Sequence, residues 1–196
     1  MKWDGFGKTG CALAALLLVP GISMAKPATC VAEKPTPASY SWNFSTEARQ
    51  LIQDLRADAA DIHDHADKLK ALADSDEVSW HTHGEELAAI SNKIDEMGQK
   101  LCRLETIRRV VSPWERAAID SAMPNLVLIR DDADNAIHFL NVHEGQMWMP
   151  TYRVPIDNLA SLSGRMSNSL KEYVEYAHVH REDIQLHKDL GMKTGS

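Results

Sequence analysis

The 196-residue sequence predicts an all-α chain, folded as an up-down-up-down four-helix bundle. Three observations carry that prediction. Apolar residues recur in steps of three and four through four long segments. Turn or capping residues separate those segments, mostly over short connections. No segment alternates apolar and polar residues as a half-buried strand would.

The amino-terminal part is read separately from the bundle. Lys2 and Lys8 precede an apolar run, Cys11 to Ile22, and Ser23-Met24-Ala25 places small residues before a cleavage point. This is the pattern of a secretory signal peptide, with cleavage expected after Ala25. The run is shorter than the roughly 20 apolar residues a transmembrane helix needs. Residues 26–44 hold three prolines and little periodicity, and read as a tail. The expected organisation is therefore a signal peptide over 1–25, a tail over 26–44, the bundle over 45–191 and a short C-terminal tail over 192–196. The mature chain carries no second long apolar run, so no membrane span is expected in it. Its expected location is the periplasm or the medium.

The first helix is expected from about Thr46 to Ala73, with Ser45 as its N-cap. Ala48, Ile52, Leu55, Ala59, Ile62, Ala66, Leu69 and Ala73 form its stripe, widened by Leu51 and Leu72. Asp74-Ser75-Asp76 is the turn. The second helix is expected from about Ser79 to Val110, with a stripe of Leu87, Ile90, Ile94, Met97, Leu101 and Leu104. Ser112-Pro113-Trp114-Glu115 then supplies an N-cap, a proline at the first helical position and Glu at N3, a capping box. The third helix is expected from Pro113 to about Asn141. Ile119, Ala122, Leu126, Ile129, Ala133, Ile137 and Leu140 keep register across Pro124, which argues for one helix kinked at the proline. His143 to Arg153 is the longest connection. The fourth helix is expected from about Val154 to Lys188, with Leu159, Leu162, Met166, Leu170, Tyr173, Ala177 and Ile184 inward and Gly191 beyond its end.

Trp42, Trp80, Trp114 and Trp148 each fall at or just before a helix start. In an up-down bundle they form two pairs, one at each end, where an amphipathic ring suits a half-buried place. The alternative is an exposed aromatic platform for a sugar or a peptide.

Composition narrows the function. The chain is 44% apolar and 25% charged, with a formal net charge of −7 and no basic block. Phosphate binding needs a concentrated positive footprint, so nucleic acid is not an expected partner. No Gly-x-Ser-x-Gly elbow, His-Glu-x-x-His or phosphate loop occurs, and no catalytic residue is assigned. Glu175-x-x-His178 is the single match to the Glu-x-x-His element that diiron bundles need twice. Covalent haem would need Cys-x-x-Cys-His, which is missing. No cofactor is therefore expected.

Nine histidines keep zinc or copper open as an alternative. Neighbouring side chains in a His-x-His pair point apart on a helix, so ligands must converge between helices. His65 lies at the edge of the first stripe and His83 extends the second, across the same turn. Asp61 and Glu86 are their carboxylate neighbours in sequence. These two histidines are the candidate metal ligands.

Cys30 and Cys102 remain after cleavage and would face an oxidising compartment. The stretch from Cys30 to Ser45 spans about 50 Å when extended, enough to reach Cys102 near the lower end of the second helix. They are the candidate disulfide. The alternative is a buried apolar Cys102 with Cys30 free or paired between chains.

The segments SYSWNFSTEA, LCRLETIRRVVSPWERAAID and EYAHVHREDIQLHKDLG resemble secreted all-helical proteins of environmental bacteria. That resemblance implies a secreted helical fold and carries no activity or site. The function expected from the whole sequence is a non-enzymatic secreted bundle that binds a protein or another envelope component. A periplasmic metal-binding or metal-stress role is the alternative.

Overall fold

A computed structural model of the chain describes residues 44–74 and 79–190. Four helices follow one another: α1 (Phe44–Ala73), α2 (Trp80–Ile107), α3 (Pro113–Val142) and α4 (Pro150–Asp189). Each packs against its neighbours in sequence, and α1 closes the ring on α4, so the four form a four-helix bundle. Among the described residues there is no strand, and no helix is long and apolar enough to cross a membrane. The expected signal peptide and cleavage point, most of the proline-containing tail and both Cys30 and Trp42 lie outside the described residues.

The stripes are the core. Ile52, Leu55, Ile62 and Leu69 of α1 meet Leu87, Ile90, Met97, Leu101 and Leu104 of α2, Ile119 and Ile129 of α3, and Leu159, Met166 and Leu170 of α4, in one buried cluster. Burying each such side chain is worth about 1.5–3 kcal/mol before the entropy of ordering it is counted. Pro124 lies inside α3, and the helix runs through it. The Asn125 amide donates to the Ser121 carbonyl at 2.8 Å, covering an acceptor in the turn that the proline loosens.

Three boundaries move. Ser45 is not an N-cap: α1 begins at Phe44, and Ser45 sits in its first turn with its hydroxyl turned to α3. The second helix stops at Ile107, because residues 108–110 form a turn that leaves Val110 exposed and brings Val111 into the core. The fourth helix begins at Pro150, four residues before the expected start. Met149 is its extended N-cap residue, Pro150 takes the first turn, and Pro155 is carried inside the helix.

At the far end of α4 the fit to the sequence pattern also breaks. Ile184 is 45% exposed, and from His178 to Leu190 every residue is exposed except the half-buried His187. Ser167 reaches the Arg56 carbonyl and Ser169 reaches Ser121. Continuing that antiparallel register brings α4 level with Pro113 and Phe44, the starts of α3 and α1, at about Ala177 to His180. At 40 residues against 28–30 for the others, α4 overhangs its neighbours. Ile184 keeps the helical period but lies past the described ends of α1 and α3.

Trp80 and Trp114 are half-buried against the core, as the end-plug expectation requires. Trp148 is not a plug: it is 64% exposed. Met147 and Met149 on either side of it pack inward instead, and the early start of α4 brings Tyr152 into the core.

Candidate functional site

The buried His83–Tyr152 pair and the His65–Glu86 pair lie towards the end of the bundle where α1 hands over to α2 and α3 to α4. His83, one turn into α2, is fully buried. The spacing explains it: His83 precedes Leu87 by four residues and lies on the same face. Its Nδ1 shares a hydrogen bond of 2.9 Å with the Tyr152 hydroxyl, and the two rings meet edge to face with centroids 5.5 Å apart. Tyr152 is itself fully buried, and Phe139 of α3 lies 5.9 Å from it, centroid to centroid. His143 stacks at a tilt on Phe139. His83 Nε2 is buried and has no hydrogen-bond partner. Burial holds the His83 pKa below its ordinary value and pushes the Tyr152 hydroxyl up.

His65 occupies a second, separate environment. Its Nδ1 donates to Glu86 Oε2 at 2.7 Å, and Lys68 donates to the other oxygen of the same carboxylate. Burial pushes the Glu86 carboxyl up, but the hydrogen bonds and charges of Lys68 and His65 outweigh it and hold the pKa below its usual range. Asp61, the other carboxylate near His65 in sequence, turns instead to Lys93 at 3.2 Å. His65 and His83 thus take different partners, a carboxylate and a phenol. Among the described residues no three His, Cys, Asp or Glu side chains are gathered to hold a metal ion.

Two further charged groups are buried. Asp58 on α1 is clamped by Lys93 and Lys100 of α2, a buried carboxylate paired with two cations. Glu115 on α3 is fully buried and accepts from Ser112 N at 2.7 Å, Ser112 Oγ at 2.8 Å and Ser45 Oγ at 2.6 Å. The capping box expected from the sequence is formed. Both groups do structural work, holding α2 to α1 and α1 to α3.

Cys102, half-buried on α2, is disulfide-bonded. The expected pairing with Cys30 lies outside the described residues.

Tyr152 falls in the connection expected over His143 to Arg153, and the structure carries it on α4 instead. The signal was present: Tyr152, Ile156 and Leu159 continue the α4 stripe backwards at helical spacing, and Pro150 suits a first turn.

An apolar feature of the described surface runs along α4. Tyr176, Val179, Leu186 and Leu190 on α4 are 57%, 64%, 56% and 63% exposed. With Asp183 they fall at steps of three, four, three and four, one seam along the overhanging helix. Where that seam meets the bundle, Pro113, Trp114, Ala117, Tyr173 and Tyr176 line a shallow groove between α3 and α4.

Comparison with protein-family models, with curated proteins and with solved structures finds no match. The class is defined by the fold itself: an all-α four-helix bundle whose last helix runs on beyond the other three.

Proposed function

We propose that this chain is a non-enzymatic, exported helical bundle that binds a protein partner in the cell envelope through the overhanging end of α4. The observation that supports the reading is the seam of Tyr176, Val179, Leu186 and Leu190. An isolated helix of this length is marginal in water, and most helical stability comes from packing an apolar face. A second copy of the chain is a poor occupant. Antiparallel pairing sets the acidic edge of Glu182 and Asp189 against its own like, and parallel pairing sets Asp183 against Asp183 in the seam. The occupant that fits is an amphipathic helix of another protein, with basic residues beside Glu182 and Asp189.

The test uses a photo-crosslinking residue at Leu190, alone and combined with the double variant Val179→Asp/Leu186→Asp, in the full-length chain expressed in its host. The expected result is one crosslinked protein that re-forms a defined complex with the purified chain and is lost with the double variant, whose helicity is unchanged. Crosslinks that persist in the double variant overturn the reading. So does a homodimer in sedimentation that the variant abolishes.

A further inference from the structure

We propose that His83 is an acid-sensitive latch: protonation of its imidazole opens the end of the bundle formed by the first turns of α2 and α4, while the opposite end stays closed. This stands apart from the partner reading, since it concerns the other end of α4.

The geometry carries it. Of the nine histidines, only His83 is buried. Its one hydrogen bond runs to Tyr152, so it ties α2 to α4, the two helices that lie diagonally across the ring. Its other nitrogen, Nε2, is buried without an acceptor. A neutral imidazole tolerates this arrangement with a single unsatisfied group. An imidazolium carries a proton on both nitrogens. It would leave a charged Nε2–H in the core with nothing to accept it, and could only donate to Tyr152 through Nδ1.

The surroundings offer no relief. Both His83 and Tyr152 lie near helix N-termini, whose dipoles present positive charge. Along α2, Glu85 is exposed and Glu86, one turn from His83, is already held by His65 and Lys68 of α1. From α3, Phe139 packs on Tyr152 and His143 covers Phe139, so a second imidazole adds no negative charge. Arg153, next to Tyr152 on α4, turns to Asp74 and is a further cation. The cheapest way to hydrate a protonated His83 is to swing the first turns of α2 and α4 apart. The lowered pKa that burial gives His83 agrees with this. At the far end, Ser45 and Glu115 tie α1 to α3 with no buried imidazole between them.

Amide hydrogen exchange on the full chain tests the latch, with intrinsic rates corrected for pH, between about pH 7.5 and about pH 5. The expected opening constant for Trp80 to Leu87 and Tyr152 to Leu159 rises about tenfold per pH unit below about 6.5. At about pH 5 this end exchanges faster than Leu101 to Ile107 and Ala118 to Ala122. His83→Gln, which cannot take up a proton, removes that rise. Tyr152→Phe keeps the rise from a lower starting protection. If His83→Gln fails to fold, the His83 ring resonance in the unmodified protein decides: it must titrate below about 6.5 together with the loss of local protection. The proposal is overturned if both ends exchange with one opening constant at low pH. It is also overturned if the rise survives in His83→Gln, or if the ring titrates as a free imidazole with no opening.

Discussion

The hydroxyl of Ser45 in the first turn of α1 donates to Glu115 Oε1 in the first turn of α3, at 2.6 Å. Glu115 also closes the capping box of its own helix through Ser112. One buried carboxylate therefore starts one helix and anchors another, which sits diagonally across the bundle from it. Ser45→Ala is expected to cost about 1–2 kcal/mol, since it takes a hydrogen bond from a charged, buried acceptor. Glu115→Ala is expected to cost about 3 kcal/mol, because the Ser112 N–H and hydroxyl lose their acceptor as well. Urea unfolding of both single variants and the double variant measures the coupling. A double variant equal to the sum of the singles would show that the bond contributes nothing.

Stability should decline with acid in two stages. His83 has a lowered pKa, so the unfolded chain takes up a proton that the folded chain resists. Stability is complete above about pH 6.5 and falls as the pH drops below it. Glu86, also lowered, contributes stability that is complete above its ordinary value of 4.5 and is lost as the pH falls through the lowered one. Burial raises Asp132 and Asp134, so these two run the other way and offset part of the second stage. Urea midpoints between about pH 8 and pH 4 should show the first decline in the protein and not in His83→Gln. A flat profile above about pH 5 would contradict the assignment.

Two glycines inside helices should respond differently to alanine. At Gly98 an added Cβ meets only an Arg130 guanidinium nitrogen, at 3.7 Å. Gly98→Ala should gain about 0.5–1 kcal/mol from helix propensity. At Gly164 the Cβ would come within 3.3 Å of the His63 ring, which donates from Nδ1 to the Ala160 carbonyl at 2.8 Å. The ring packs that close to α4 because position 164 has no side chain. Gly164→Ala should therefore gain nothing, and its melting temperature should lie below that of Gly98→Ala. Equal gains would mean that the ring gives way freely.

Cys102 is disulfide-bonded, and the partner expected from the sequence is Cys30. Mass analysis of the exported chain without reductant should find Lys26 as the first residue, no alkylatable thiol and a peptide joining Cys30 to Cys102. Reduction should lower stability by about 4 kcal/mol, as expected for a closed loop of roughly 70 residues. Two free thiols in the monomer would disprove the pairing.

Local chemistry determined the four helices and the faces they bury. The period of Ile52, Leu55, Ile62 and Leu69, the register kept through Pro124, and the Ser112–Glu115 box are all set within a few turns of chain. The same period put His83 on the inner face. What faces an inward residue depends on how far one helix slides along another, and no local pattern records that. The tertiary structure alone gave His83 the Tyr152 hydroxyl, gave Ser45 a carboxylate on α3 in place of its own backbone, and set Asp58 between Lys93 and Lys100. It also decided where burial stops. Ile184 follows Ala177 in perfect period, yet α1 and α3 begin level with Ala177 and leave Ile184 in water. Periodicity reports the face of a helix, and only the lengths and offsets of its neighbours determine how much of that face is covered.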